Sequence, residues 1–407
     1  MIPSLYIHIP FCKKKCDYCD FFSIGKKDRA GKINDLSDSY IDALITEAKF
    51  YADFYSVSEW KTIYVGGGTP SLLTSKEISA LFTGLKKIAP INEDSEITFE
   101  INPDDVTEDF LSVCKKAGIN RLSMGIQALD DRALKAVNRG SSVKIIFGAL
   151  ENLKKNWTGR LSVDFIAGLP CQTHKSFENQ FEILKKYSNI DHVSLYTLTI
   201  EENTPLAKKI ERNEIKFSQE KADKMWIKGR NILEKLGFHQ YEVSNFAKSG
   251  FESRHNSSYW LQENYIGIGS GASGTIYDFE KKKAVRWTNS LSIPFYTAKI
   301  SALSQQAENE EINLILPRTA ENLDEETLEF EFLMLGFRRL AGISSKDYEQ
   351  RFGKSLAERI GDEKNSGIFT KWQKNRLARK KIYSDDTIYS LNRRGILLLN
   401  RFLEEML

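Results

Sequence analysis

Cysteine is scarce in this chain, with five among 407 residues. So few exclude a disulfide-stapled secreted scaffold. There is no uninterrupted apolar run of about eighteen residues, so no membrane-spanning helix is expected. An excess of one charge is missing as well. The 58 Lys and Arg against 55 Asp and Glu leave a net +3, too little by itself to argue for a nucleic-acid partner. The opening Met1-Ile2-Pro3-Ser4-Leu5 has neither a basic start nor a long apolar segment, so a cytoplasmic chain with reduced thiols is expected. No fixed-period repeat is present. What remains is an ordinary apolar fraction of 41%, enough for a substantial core, in a length that suits one large domain or two to three smaller ones.

The few cysteines are unevenly placed. Cys12, Cys16 and Cys19 fall together, just after Leu5-Tyr6-Ile7-His8-Ile9-Pro10, which reads as a strand running into a loop. Three clustered cysteines cannot all pair with one another. A structural zinc site usually closes with four ligands, and no His or Cys follows within about forty residues. Three soft ligands without a fourth suit an iron–sulfur cluster with one iron left open; structural zinc is the alternative. Cys114 lies in a helical apolar pattern and reads as a small buried hydrophobe. Cys171 is given no role.

Strand and helix patterns then alternate. Short apolar strands are expected at 62–65, 96–100, 121–124, 161–166 and 192–198, each followed by a helical stretch. Ser37 and Ser75 stand at helix starts. With the first strand this makes six β/α units over residues 1–235, which forces parallel pairing with helices outside. Loops at the strand C-terminal ends then gather into one mouth. Glu100, Gln127 and Asp164 sit at or near those ends, and Gly66-Gly67-Gly68-Thr69-Pro70 closes the second strand, where glycines let backbone approach a ligand closely. Residues 25–34 read as a charged, mobile stretch. Residues 236–297 read as an extension of short strands and loops rather than further barrel units. The polar stretch 298–322 reads as a linker. Residues 323–407 read as a mainly helical domain with a turn or hairpin near 382–391, and its basic cluster at 371–381 as a solvated face.

The C-x3-C-x2-C spacing after a first strand resembles the signature of the radical S-adenosylmethionine (SAM) superfamily. The flanks Tyr6-Ile7-His8-Ile9-Pro10-Phe11-Cys12 and Cys19-Asp20-Phe21 resemble its HemN/HemW branch, which holds oxygen-independent coproporphyrinogen III oxidases and haem chaperones. The resemblance implies an α/β fold: a partial (β/α)6 TIM-like barrel, a small mixed extension and a winged-helix-like C-terminal domain. It implies a [4Fe-4S] cluster on Cys12, Cys16 and Cys19, with SAM on the fourth iron. It implies SAM contacts from Tyr6, Gly67, Gly68, Thr69, Glu100, Gln127, Arg139, Asp164 and Thr199, some of which could serve a second SAM.

Two features point to the chaperone side of the branch. Phe21 stands where the oxidases carry a fourth cysteine, and only eleven residues precede Cys12, where the oxidases carry a long segment. His255-Asn256-Ser257-Ser258-Tyr259-Trp260 matches the H-N-x-x-Y-W motif linked to haem. That implies an imidazole able to meet haem iron, with aromatic rings beside a porphyrin. Tyr241 to Ala247 also matches. Two positions depart from the family pattern: Ser273 replaces a histidine in the Gly269-Ser270-Gly271-Ala272 turn, and Asp17 replaces a proline. The expected partners are haem, acceptor haemoproteins and a reducing electron donor, with any membrane contact peripheral and through acceptors, and the chain monomeric or dimeric. Oxidation of coproporphyrinogen III is the alternative activity.

Overall fold

The computed structural model describes residues 1–25, 37–303, 316–362 and 367–406. The expected mobile stretch lies, from residue 26 on, outside the described residues.

Alternation in β1 (Ser4–Ile9) sets the design. Leu5, Ile7 and Ile9 are fully buried, while Tyr6 and His8 occupy the opposite face, as a period of two requires. α1 (Ser37–Phe54) returns the chain to β2 (Thr62–Gly67). α2 (Ser75–Ile88) starts at a capping box in which Thr74 and Glu77 satisfy each other's backbone amides. The pattern continues through β3 (Glu96–Ile101), α3 (Glu108–Ala117), β4 (Arg121–Gln127), α4 (Val143–Asn156), β5 (Arg160–Ala167) and β6 (His192–Thr197). All six strands pair in parallel in chain order. This is the expected partial TIM-like barrel, and its helices pack outside. Cys114 is fully buried in α3, and burial pushes its thiol up to about 12. Cys171 is exposed.

The sheet continues past both barrel edges. After α5 (Gln219–Lys235), the short β7 (His239–Gln240) and β8 (Asn245–Ala247) add antiparallel strands beside β6. α6 (Arg254–Trp260) then leads to β9 (Tyr265–Ile268), which pairs in parallel with β1. That corrects the expectation for this segment, since β9 is a seventh parallel strand of the barrel sheet. Its glycines, which suggested loops, are Gly267, where a side chain would strike the Ser273 backbone, and the turn that follows. An antiparallel run completes a twelve-stranded sheet: β10 (Ser273–Asp278), β11 (Lys283–Asn289) and, after α7 (Ile293–Leu303), β12 (Arg318–Leu323). The expected linker at 298–322 is therefore not one where it is described. Ile300 and Leu303 are buried in the main core, and β12 pairs with β11 over six residues. Residues 304–315 lie outside the described set.

The C-terminal region has its own core, including Leu333, Phe337, Tyr348, Phe369 and Phe402. α8 (Glu325–Gly336) opens it. A small sheet of β13 (Ile343–Ser344), β14 (Ala378–Ile382) and β15 (Thr387–Leu391) forms its wing, so the hairpin begins four residues earlier than expected. In the basic cluster, Lys371 pairs with Glu405 at 3.0 Å and Lys380 with Asp362. Arg286 of β11 grips Glu331 of α8 with both arms of its fork, at 2.9 and 2.6 Å, and so fixes this region to the sheet. No helix among the described residues is long and apolar enough to cross a membrane.

One buried carboxyl ties α1 to the extension. Glu47 accepts from the Gly269 amide and the Asn289 amide group at 2.8 Å each, and from the Tyr296 hydroxyl. Burial outweighs these donors and pushes its pKa up to about 7. An acid whose folded pKa is raised loses its stabilising contribution as pH rises through that value. Stability is therefore expected to fall between pH 5 and pH 8 by about 1–3 kcal/mol from this group. Denaturant melts of Glu47→Gln should show a smaller fall, and parallel curves for both proteins would contradict it.

Candidate cluster and cofactor site

The C-terminal ends of the parallel strands enclose a cavity of about 570 Å3. All three clustered cysteines line it, with Phe21, Gly67, Gly68, Thr69, Glu100, Gln127, Arg139, Asp164 and Thr199. Eight of the nine expected SAM contacts, drawn from separate strand ends, thus share one mouth with the cysteine loop.

The loop is held at several points. Cys12 sits on a two-residue strand paired with Ile24–Gly25. The Cys19 amide donates to the Cys16 carbonyl at 3.2 Å, and the Asp17 amide to the Val137 carbonyl at 3.0 Å. Asp17, which replaces the family proline, accepts from Lys209 at 2.6 Å. The substitution therefore adds an anchor to the barrel wall. The glycine turn lies against the same loop. The Gly68 amide donates to the Ile9 carbonyl at 2.8 Å. A Cβ on Gly68 would stand 2.7 Å from the Phe11 carbonyl oxygen, and Gly67 has φ +109, so neither position tolerates a side chain.

The residues fit a cubane better than a single ion. Among the described residues, no three His, Cys, Asp or Glu side chains are grouped so as to hold one metal ion. Cys12, Cys16 and Cys19 line one cavity with no fourth Cys and no His among its lining residues, a donor set that suits three corners of an iron–sulfur cluster rather than a closed four-ligand zinc site. Thr69 donates to the Cys12 sulfur and Arg139 to the Cys16 sulfur, each at 3.6 Å.

Acid groups face them. Glu100 accepts from the Tyr64 hydroxyl at 2.6 Å and the Gly67 amide at 3.2 Å. Burial, with the Asp164 charge adding to it, pushes its pKa up to about 7 despite these donors. Burial also raises Asp164, although Ser123 and Ser194 donate to it. Gln127 adopts φ +68 at a register shift in β4, an uncommon conformation that turns the strand end into the mouth.

Tyr6 lines a second cleft rather than the mouth. Its register partner is Tyr64, three residues short of the end of β2, so it stands deeper in the barrel, with its hydroxyl on His8 Nδ1 at 2.9 Å.

This second cleft, of about 510 Å3, lies between the cysteine loop, the extension and α8. Tyr6, Phe21, Phe22, Tyr259, Trp260, Tyr265 and Tyr277 give it a largely aromatic wall, with Arg286 and Met334 among the rest. The indole N–H of Trp260 is buried without a partner. Phe21 is 70% exposed and borders both cavities.

His255 departs from the expectation of a free imidazole. It is 1% exposed. Its Nδ1 is bonded to Thr62 Oγ1 and its Nε2 to the Tyr259 hydroxyl, both at 2.7 Å. Burial presses its pKa down to about 3, so the ring is neutral. Both nitrogens are engaged within the chain, so the imidazole is not presented to haem iron. Its backbone amide donates to Glu96 at 3.0 Å, so the residue fastens α6 to the barrel. Asn256 lines neither cavity; its amide donates to Ser253, the helix cap.

Comparison with known proteins agrees with this geometry. Residues 6–184 match the model for the radical SAM superfamily, and residues 323–398 the HemN C-terminal domain. The chain is 32% identical over 399 residues to the heme chaperone HemW of Bacillus subtilis, covering 98% of this chain and 97% of that one. It is 30% identical over 405 residues to HemW of Lactococcus lactis, covering 99% and 97%. The chain belongs to the radical SAM superfamily, in its HemN/HemW branch. Coproporphyrinogen III oxidase (HemN) from Escherichia coli superposes with a TM-score of 0.78 at 22% identity, over 100% of this chain and 90% of that one, and so shares the fold.

Some wall residues of this radical SAM protein went unnoticed in the sequence. Asn102, Ser123 and Tyr196 also line the mouth. Asn102 directly follows β3 and precedes Pro103, a position that could have been read as a strand-end loop. Ser123 and Tyr196 carry no such signal. Gly68→Ala is expected to cost about 1–3 kcal/mol and to lower iron incorporation several-fold on anaerobic reconstitution. Undiminished iron with unchanged stability would contradict the close approach of turn and loop.

Proposed function

We propose that this protein is a haem chaperone, binding haem in the aromatic cleft and passing it to acceptor haemoproteins in the cytoplasm. The observation that carries the reading is that cleft, which shares Phe21 with the cysteine mouth, in a chain whose whole length aligns with haem chaperones. Flat apolar rings, Trp260 among them, suit a porphyrin face.

Cys12, Cys16 and Cys19 would hold a [4Fe-4S] cluster, and the mouth would hold SAM. When bound, this pair supplies one-electron chemistry, with electrons from a reducing donor. The chain's own residues bind and orient. Gly67 and Gly68 admit the ligand to close backbone contact. Glu100 and Asp164 offer acceptors to hydroxyl or ammonium groups, Gln127 and Thr199 line the opposite strand ends, and the buried walls exclude water. Ionised Glu100 is the stronger acceptor, so SAM affinity is expected to rise between pH 6 and pH 8. Calorimetric titration should show this rise, and its absence from Glu100→Gln. A pH-independent affinity in the parent would contradict the assignment.

The oxidase reading rests on a shared fold and on the match to the HemN C-terminal domain, and Phe21 supplies no fourth thiol. Anaerobic reconstitution should yield about four irons and four sulfides per chain. Haem titration of the same sample, followed by its absorption spectrum, should saturate. Trp260→Ala is expected to weaken haem binding at least fivefold, while His255→Ala leaves the iron-ligand bands unchanged and lowers stability. Failure of the parent to take up haem would overturn the proposal.

A further inference from the structure

Arg139 does not present an open fork to the mouth. One of its terminal nitrogens donates to Asn102 Oδ1 at 2.6 Å and to the Gly125 carbonyl at 2.7 Å. The other donates to Cys16 Sγ at 3.6 Å. Its Nε is sealed from solvent without a partner. Asn102 uses its amide group in turn on Thr69 Oγ1 at 3.4 Å, and Thr69 donates to Cys12 Sγ at 3.6 Å. A continuous chain of donors therefore runs from Cys16 to Cys12, with Asn102 at its centre. The glycine at 125 leaves room for it, since a Cβ there would stand 3.0 Å from the guanidinium.

We infer that Arg139, Asn102 and Thr69 form a brace that sets the reduction potential of the cluster through two of its three sulfur ligands. The inference rests on the cluster assignment made above. Donors to a ligand sulfur stabilise the more negative, reduced cluster, as does a nearby cation. Asn102 is a positioning residue, because it acts by aiming the other two.

The test is an anaerobic potentiometric titration of reconstituted protein, without SAM or haem, read by electron paramagnetic resonance. Asn102→Ala releases both ends of the brace. Its cluster is expected to be at least tenfold harder to reduce at a given potential, a shift of about 59 mV for one electron. Thr69→Val, close to isosteric, removes only the Cys12 donor and should give a smaller shift of the same sign. Arg139→Lys keeps the charge but not the fork and should fall between. Parent potentials in variants with a full iron complement would overturn the tuning role. So would variants that fold but hold no cubane, because the brace would then be structural. A parent protein that takes up no cubane instead overturns the cluster assignment, so the two failures are distinct.

Discussion

The constraint on which this site depends is the contact between the glycine turn and the cysteine loop. The Gly68 amide reaches the Ile9 carbonyl at the end of β1, and its bare Cα lies under the Phe11 carbonyl. Everything at the mouth is measured from that contact. It places Thr69 against Cys12, sets the Gly67 amide on Glu100, and holds the cysteine loop over the strand ends. The parallel order of β1 to β6 then brings Glu100, Gln127, Asp164 and Thr199 to the same rim.

A second consequence follows from the parallel pairing of β9 with β1. It brings the extension to the edge of the sheet beside the cysteine loop, and Glu47 fastens the turn after β9 from beneath. The fork between Arg286 and Glu331 brings α8 to the same place. Cysteine loop, extension and C-terminal region thus enclose the aromatic cleft together, and Phe21 belongs to both cavities. An exposed phenyl group on the cysteine loop is the physical link between the two proposed ligands.

Much of this was legible in the sequence, for identifiable reasons. The barrel could be read because the strands are short runs rich in apolar residues, most of them closed by glycine or proline, and each followed by a helical period. The cysteine trio, the glycine turn and Phe21 could be read because their spacing is local. Long-range placement was less legible. Tyr6 was expected at the mouth, but its depth depends on register with Tyr64. His255 looked free because Thr62, which occupies one of its nitrogens, is distant in the chain, and the hydroxyl of Tyr259, one helical turn away, was read as part of a haem wall rather than as its partner. The 298–322 stretch looked like a linker because its polar composition hides the pairing of β12 with β11. The Asn102 brace depends on four separate strand ends and has no local signature.

The central claim is that Cys12, Cys16 and Cys19 hold a cubane whose open iron faces the strand-end mouth. Electron paramagnetic resonance of the reconstituted, reduced protein with and without SAM tests it most directly. The account predicts a four-iron signal that SAM changes and that Cys16→Ala abolishes. A signal indifferent to SAM, or one that survives loss of Cys16, would contradict it.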